Sequence, residues 1–184
     1  LVSTTPSSGS VTLNNADAYQ IDGIDTSSGN IDLTIIWNTK SASNSNGSLD
    51  NISPSNLQLR VTANDSNLDS TVATCTNFSL DNIRPTAAIT YSSANPQKIG
   101  NSLTITATYS EDMADSPVPQ ISISGSNTQA ATNMTKSSAT VYTYTHTVGA
   151  GNGFAAVALA TATDLFGNLI TSTPTLGETF VVDN

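Results

Sequence analysis

The sequence is poor in the residue types on which many active sites and small disulfide-linked domains depend. Its 184 residues include one Cys, one His and one Trp, and only 10% of the chain is charged. A single cysteine, Cys75, excludes an intrachain disulfide and a cysteine-based zinc cluster. Cys75 lies in a Thr-rich run with strand character, so we expect a buried, inert thiol. No stretch approaches the roughly 20 apolar residues of a membrane-spanning helix, so we expect no membrane insertion by this chain.

Basic residues are also scarce. Five Lys and Arg stand against 14 Asp and Glu, which gives a formal net charge of −9. Such a chain lacks the basic surface that nucleic acids require, so we expect no nucleic-acid partner. An acidic surface suits divalent cations, and it also simply keeps a protein in solution. Charge alone leaves both interpretations open.

Residue constellations for catalysis are nearly absent as well. His146 lies in an alternating run with tyrosines two and four residues before it, a position typical of a packed or surface imidazole rather than a catalytic base. Glu111, Asp112 and Asp115 gather where a predicted strand ends, and a pair of such carboxylates is what glycoside hydrolysis needs. In an acidic β-protein, however, acids at a strand end are more often cation ligands or solvated groups. We therefore predict that the protein is not an enzyme.

The sequence has, instead, many short segments in which apolar and polar residues alternate. Clean alternation occurs over residues 57–63, 103–109 and 140–148, separated by turns rich in Gly, Pro, Asn and Ser. This period of two predicts strands with one buried face, and no stretch has the helical period. Ile31, Leu33 and Ile35 share one face of an earlier predicted strand, and Trp37 extends that face and is predicted to fill a core. Tyr142 and Tyr144 share an inward face with Val148. The predicted fold class is all-β.

Two prolines influence the strand predicted around Ile121 and Ile123. Pro117 and Pro119 precede it, and proline cannot donate a hydrogen bond to a neighbouring strand. We therefore predict that this strand lies at the edge of its sheet.

One sequence pattern occurs twice. Residues 78–82, Phe-Ser-Leu-Asp-Asn, return as residues 180–184, Phe-Val-Val-Asp-Asn. In both places an alternating apolar run stops at Asp-Asn, and Pro85 follows the first copy and stiffens the link. The repeat predicts two domains, residues 1–82 and residues 83–184, each near the usual size of a β-sandwich.

These motifs resemble those of immunoglobulin-like tandem repeats in bacterial and archaeal cell-surface proteins of the surface-layer or adhesin type. Residues 164–168, Asp-Leu-Phe-Gly-Asn, are similar to the Asp-x-x-Gly-Asn turn of that family, and residues 81–86 resemble its linker. The ending of the strand over residues 103–112 and the opening over residues 14–23 are also similar, whereas the first unit has no glycine in its turn at residues 64–67. The resemblance implies two tandem immunoglobulin-like β-sandwiches located outside the cell, at its surface.

Acidic and amide side chains at the predicted junction suggest a calcium site. Calcium takes six to eight oxygen ligands, and strand-connecting loops meet at the ends of a sandwich. The predicted ligands are Asp81, Asn82, Glu111, Asp112, Asp164 and Asp183. The alternative is that these side chains only cap turns in their own segments.

The chain also carries five Asn-x-Ser/Thr acceptors for N-glycosylation. They are Asn46, Asn51, Asn64, Asn77 and Asn133. A chain this rich in Asn, Ser and Thr produces some of them by chance, and the long polar loop over residues 38–56 makes Asn46 and Asn51 the preferred candidates.

These observations predict a non-catalytic structural module of an exported array, whose partners are other copies of itself, neighbouring immunoglobulin-like units and glycans. The alternative is an adhesin stalk or a carbohydrate-binding module, which would need exposed aromatic side chains on one face.

Overall fold

The structure, a computed structural model, describes residues 3–6, 12–14, 20–25, 27, 29–40, 49–64 and 67–184. Throughout these ranges the regular structure is β-strand, with no helix, so the predicted all-β class is confirmed. Accordingly, no membrane-spanning helix occurs among these residues. The chain divides into two compact units, residues 1–50 and residues 51–184, each described below by itself. The domain boundary predicted between residues 82 and 83 stays a prediction.

In the part of the first unit that the structure describes, the strands form two antiparallel pairs. Strands β1 (Ser3–Pro6) and β4 (Leu33–Ile36) form one pair, and β2 (Thr12–Asn14) and β3 (Gln20–Asp22) form the other. Within β4, Ile35 and Ile36 are exposed, and Trp37 just after it is half-buried. Trp37 therefore does not fill a closed core among the described residues, unlike the prediction.

The described residues of the second unit form ten strands. In chain order they are β5 (Arg60–Val61), β6 (Ala73–Thr74), β7 (Ala87–Tyr91), β8 (Ser102–Tyr109), β9 (Gln120–Gly125), β10 (Gln129–Asn133), β11 (Thr135–Lys136), β12 (Val141–Thr147), β13 (Gly153–Ala160) and β14 (Thr179–Val182). The first two form a small antiparallel pair, and the other eight form two four-stranded antiparallel sheets. One sheet has the order β10-β9-β13-β14 and the other the order β11-β12-β8-β7.

A single hydrophobic core includes side chains from both four-stranded sheets, an arrangement consistent with a β-sandwich. Alternation explains how β8 contributes to it. Leu103, Ile105 and Ala107 are fully buried, whereas the threonines between them face outward. Phe180 on β14 is also fully buried and packs edge-on against Tyr91 of β7. Burial of this kind stabilises a fold by about 25 cal/mol for each Å² of apolar surface removed from water.

The sheet edges formed by β7 and β14 are both covered. Residues 175–176 pair with the outer side of β7, where the Ile89 amide donates to Leu176 O at 2.8 Å. Gln97 pairs in the same way with the outer side of β14, because its amide donates to Val181 O at 2.7 Å. These bridges satisfy backbone groups that an edge strand would otherwise leave open.

Two expectations about this unit are wrong. The strand containing Ile121 and Ile123 is β9, which lies between β10 and β13 rather than at an edge. Pro117 and Pro119 precede β9 and remove no hydrogen bond from its ladder. Cys75 is an exposed free thiol rather than a buried one. The reason is that the β5 and β6 pair has no buried side chain around it in the described residues.

Candidate metal site

Asp164 organises the turn at residues 164–168. Its Oδ1 accepts hydrogen bonds from the Phe166 and Asn168 amides, each at 2.8 Å, and its Oδ2 accepts one from Asn168 Nδ2 at 2.8 Å. Asp164 is 1% exposed, and its backbone amide bonds to Asn168 O. Residues 164–168 therefore form a turn that the Asp164 side chain stabilises. This agrees with the alternative interpretation of the sequence, in which these side chains cap turns in their own segments.

Residues 81–85, the entry segment that leads into β7, are hydrogen-bonded beside this turn. Asn168 Nδ2 also donates to Asp81 O at 3.0 Å, and the Thr171 amide donates to Pro85 O at 3.0 Å. The Asp81 side chain accepts a hydrogen bond from the Ile83 amide at 3.0 Å. Residues 81–85 therefore run alongside residues 168–171, and the carboxylate of Asp81 is held next to the Asp164 turn.

Glu111 completes a group of three carboxylates. It follows the end of β8, and one carboxylate oxygen from each of Asp81, Glu111 and Asp164 lies within 4.8 Å of the other two. Ligands 2.3–2.6 Å from one Ca²⁺ ion are separated by up to about 5 Å, so these oxygens fit a shared ion. Exposure differs within the group, since Asp164 is buried and the other two are half-buried.

The electrostatics of the group disfavour three negative charges in the absence of a cation. The pKa of Glu111 is raised by partial burial, and then by repulsion from the Asp81 and Asp164 carboxylates. Each of these causes makes the ionised form of Glu111 less favourable. A bound cation would reverse the effect of both neighbours, because it attracts all three carboxylates.

Of the other predicted ligands, the acidic residues Asp112 and Asp183 do not belong to this group, and Asn82 is the neighbour of Asp81 in the chain. Asn82 is buried, and its amide donates to Ile52 O while its carbonyl accepts from the Asn51 amide. Asp112 is exposed and is not one of the three converging carboxylates. Asp183 follows β14, and its amide bonds to Gln97 O near the start of β8, whereas Glu111 follows the end of β8. Eight residues of strand separate those two ends by about 25 Å.

Four of the five predicted glycosylation acceptors lie in the described residues, and all four are exposed. Asn46 lies outside the described residues. The side chain of Asn64 bonds to Asp69, and that of Asn133 accepts from Gln120 Nε2 at 3.0 Å. Asn51 lies in a turn with a φ of 58°.

His146 and the two candidate aromatic residues lie in or beside the core, whereas Asp115 is exposed. His146 is 6% exposed, Tyr142 is 1% exposed, and Tyr144 packs against the core. Asp115 forms a salt bridge with Lys136, which lowers the pKa of the Asp115 carboxyl through a hydrogen bond. Asp115 is thus separate from the acidic group, although it is close to Glu111 in sequence.

Sequence reasoning did not identify the role of Asn168. Its amide links the Asp164 carboxylate to the backbone of residue 81, so it connects two of the predicted ligands. The Asp-x-x-Gly-Asn spacing indicates that Asn168 belongs to the turn. It does not indicate the hydrogen bond from Asn168 to Asp81 O, because these residues are 87 positions apart. Nothing local in the sequence specifies such a partner.

Comparison of the chain with family models, curated proteins and solved structures gives no match.

Proposed function

We propose that the chain is a non-catalytic structural module of an exported cell-surface array. In this proposal, residues 1–82 and 83–184 are tandem immunoglobulin-like β-sandwiches. Calcium holds the segment that joins them, residues 81–85, against the second sandwich. Such modules act mechanically: they set the spacing of an assembly and contact neighbouring copies. The partners are other copies of the chain or adjacent units of the same kind.

The observation that carries the proposal is that the entry segment, residues 81–85, is hydrogen-bonded to the end of the sandwich. Asn168 holds the backbone of Asp81, Thr171 holds that of Pro85, and Pro85 itself is buried. A freely jointed linker would have no such contacts, because flexible linkers leave their backbone to water. This geometry supports a stiff connection, as a mechanical module requires.

The three converging carboxylates support calcium as the clamp. Asp81 belongs to the entry segment, whereas Glu111 and Asp164 belong to loops of the sandwich. An ion bound by all three would therefore tie the entry segment to the sandwich through a second set of contacts. Calcium accepts carboxylate and backbone oxygen ligands in a flexible geometry, and additional ligands can be water.

Thermal unfolding of the full chain in millimolar calcium, and again in excess chelator, tests the clamp. A ligand at one hundred times its dissociation constant stabilises the native state by about 2.7 kcal/mol, so the Tm should rise by several degrees in calcium. Glu111→Gln should remove most of that rise, since it deletes one of the three charges. A Tm that is the same in calcium and in chelator would contradict the calcium clamp.

Asp183→Asn is the matched control. It also removes one negative charge, but Asp183 is exposed and lies near the opposite end of β8. The calcium response should stay as in the unsubstituted protein. A loss of response in Asp183→Asn equal to that in Glu111→Gln would mean that general charge, not the three-carboxylate group, controls the effect.

The raised pKa of Glu111 gives a pH dependence of known sign. A carboxyl with a higher pKa in the folded than in the unfolded state binds more protons when folded, so its contribution to stability falls as pH rises above its ordinary pKa of 4.5. In chelator at neutral pH, Glu111→Gln should therefore raise the Tm slightly, whereas in calcium it should lower it. The same sign of change in both conditions would contradict the cation-binding role of Glu111.

Surface location and glycans are part of the same proposal. The exposed acceptors Asn51, Asn64, Asn77 and Asn133 support modification, with Asn46 as a further candidate from the sequence. The mass of the intact protein from its native source tests this, because each glycan adds mass to the 18.9 kDa polypeptide. A mass equal to that of the polypeptide would contradict glycosylation. The alternative adhesin function has little support from Tyr142 and Tyr144, since both pack in or against the core.

A further inference from the structure

A network of hydrogen bonds holds residues 183–184 at the end of the sandwich opposite Glu111. The Asn184 amide donates to Asn152 Oδ1, and Asn184 Nδ2 donates to Gly151 O, both at 2.8 Å. Asn184 Oδ1 in turn accepts a hydrogen bond from the Ile99 amide. The side chain of Asn184 therefore joins the turn at residues 149–153 to the loop before β8.

The turn at residues 149–153 depends on a buried side chain, Asn127. Asn127 Oδ1 accepts from the Gly149 amide at 2.7 Å, and Asn127 Nδ2 donates to Ser126 O at 2.8 Å. Asn127 is 5% exposed, so these bonds replace contacts with water that the side chain would otherwise make. Ser126 Oγ adds a bond to Asn152 O at 2.8 Å.

The network ends inside the core at His146, the chain's one histidine. Its Nε2 lies 3.0 Å from Asn127 Oδ1, and its ring lies 6.0 Å from that of Phe180. Asn127 Oδ1 is an acceptor, so Nε2 of His146 carries the proton and donates it, and Nδ1 is the nitrogen that is unprotonated in the neutral ring. Proton uptake must therefore occur at Nδ1 and must place a positive charge in the core.

Within the part of the chain that the structure describes, no charged side chain acts on His146 as a counterion. Leu103 lies opposite it on β8, and Phe180 and Asn127 contact it from β14 and the loop after β9. The ionisable side chains near it are phenols rather than carboxylates: Tyr144 on its own strand and Tyr91 against Phe180. Lys98 and Asp183, the charged residues beside Ile99 and Asn184, are exposed. Burial alone lowers the pKa of His146 below its ordinary value of 6.5.

We propose that the hydrogen bond between His146 and Asn127 is an acid-sensitive latch. While it is formed, the turn at residues 149–153 holds residues 183–184 in place, and acid breaks it. When Nδ1 binds a proton, the imidazolium ring is stabilised by moving out of the core toward water. Asn127 Oδ1 then loses one of its two donors and keeps the Gly149 amide, so Asn127 holds the turn at residues 149–153 less firmly, and the turn in turn holds Asn184 less firmly. Acid therefore loosens this end of the sandwich before the rest of it.

The sign of the effect follows from linkage. The unfolded or opened chain binds the proton more readily than the closed one, so the latch is fully stabilised above pH 6.5 and weakens as pH falls through and below that value.

Nuclear magnetic resonance of the full chain between pH 7.5 and pH 5 tests the latch, because the only histidine gives unambiguous ring signals. The His146 ring should titrate with a midpoint below 6.5, and the Gly149, Ile99 and Asn184 amide signals should shift with the same midpoint. After correction for intrinsic rates, hydrogen exchange at Ile99 and Asn184 should accelerate by about tenfold or more toward pH 5. Exchange at Ile105, in the middle of β8, should stay slow.

His146→Phe is the decisive variant, because it keeps an aromatic ring against Phe180 and removes the titrating group. Exchange at Ile99 and Asn184 should then show no step between pH 7.5 and pH 5, and His146→Gln should give the same result if the Phe variant fails to fold. Asp183→Asn should keep the step. A step that persists in a His146 variant, or a His146 ring that titrates while Ile99 and Asn184 stay unchanged, would overturn the latch.

Discussion

Two segments of the second compact unit have nearly the same alternating pattern but very different burial. Leu59 and Val61 lie in and beside β5 and are 55% and 58% exposed, whereas Leu103 and Ile105 on β8 are 0% exposed. β8 is covered by a second sheet, whereas among the described residues β5 pairs only with the two-residue strand β6. The comparison teaches that alternation defines a face of a strand, whereas burial depends on a second layer that local sequence does not specify.

A matched pair of substitutions gives the largest expected difference. Leu103→Ala removes a fully buried side chain and should lower the free energy of unfolding by about 2–5 kcal/mol. Leu59→Ala makes the same chemical change at an exposed position and should alter it by less than about 0.5 kcal/mol. Urea unfolding of both variants measures this difference. A cost above about 2 kcal/mol for Leu59→Ala would mean that the apolar face of residues 57–63 is covered in solution.

The comparison also indicates how much of the fold could be predicted from the sequence. The all-β class and the inward faces of β8 and β12 followed from alternation, since side-chain direction in a strand is a local property. The interior position of β9 did not follow, because Pro117 and Pro119 limit hydrogen bonding only at their own residues and these precede the strand. The exposure of Cys75 does not follow from its local sequence, for the same reason as that of Leu59, because both are exposed where the described residues provide no second layer.

The candidate metal site divides in a similar way. Asp81, Glu111 and Asp164 were all proposed from strand ends and turns, and the structure brings these three together. It leaves Asp183 outside the group, because residues that each follow a strand can lie at opposite ends of a sandwich, and it also leaves out Asp112, which is next to Glu111 in sequence. Which end a loop occupies depends on strand order, and strand order is set by contacts that are distant in sequence.

A second matched pair compares two glycines with positive φ in the sandwich. Gly177 has a φ of 69°, and a Cβ there would lie 2.1 Å from Ile89 O, in the segment that covers β7. Gly100 has a φ of 84°, and a Cβ there would meet nothing within 4 Å. Gly177→Ala should therefore cost about 2–4 kcal/mol in urea unfolding, and Gly100→Ala about 1 kcal/mol, from the backbone conformation alone. Equal costs would indicate that residues 175–177 move away from β7 easily.

The smallest expected change in the free energy of unfolding is at Cys75. This residue tests whether the β5 and β6 pair is exposed in solution. The Cys75 thiol is exposed, and its Sγ accepts a hydrogen bond from the Leu59 amide at 3.1 Å. Cys75→Ser keeps an acceptor at this position and removes little buried surface, so the free energy of unfolding should change by less than about 0.5 kcal/mol. In the unsubstituted native protein, a thiol reagent should modify Cys75 completely and without denaturant, since an exposed thiol reacts as its thiolate forms. If Cys75 reacts only after urea unfolds the chain, the β5 and β6 pair is covered in solution. That result would favour the buried Cys75 thiol that the sequence pattern predicts.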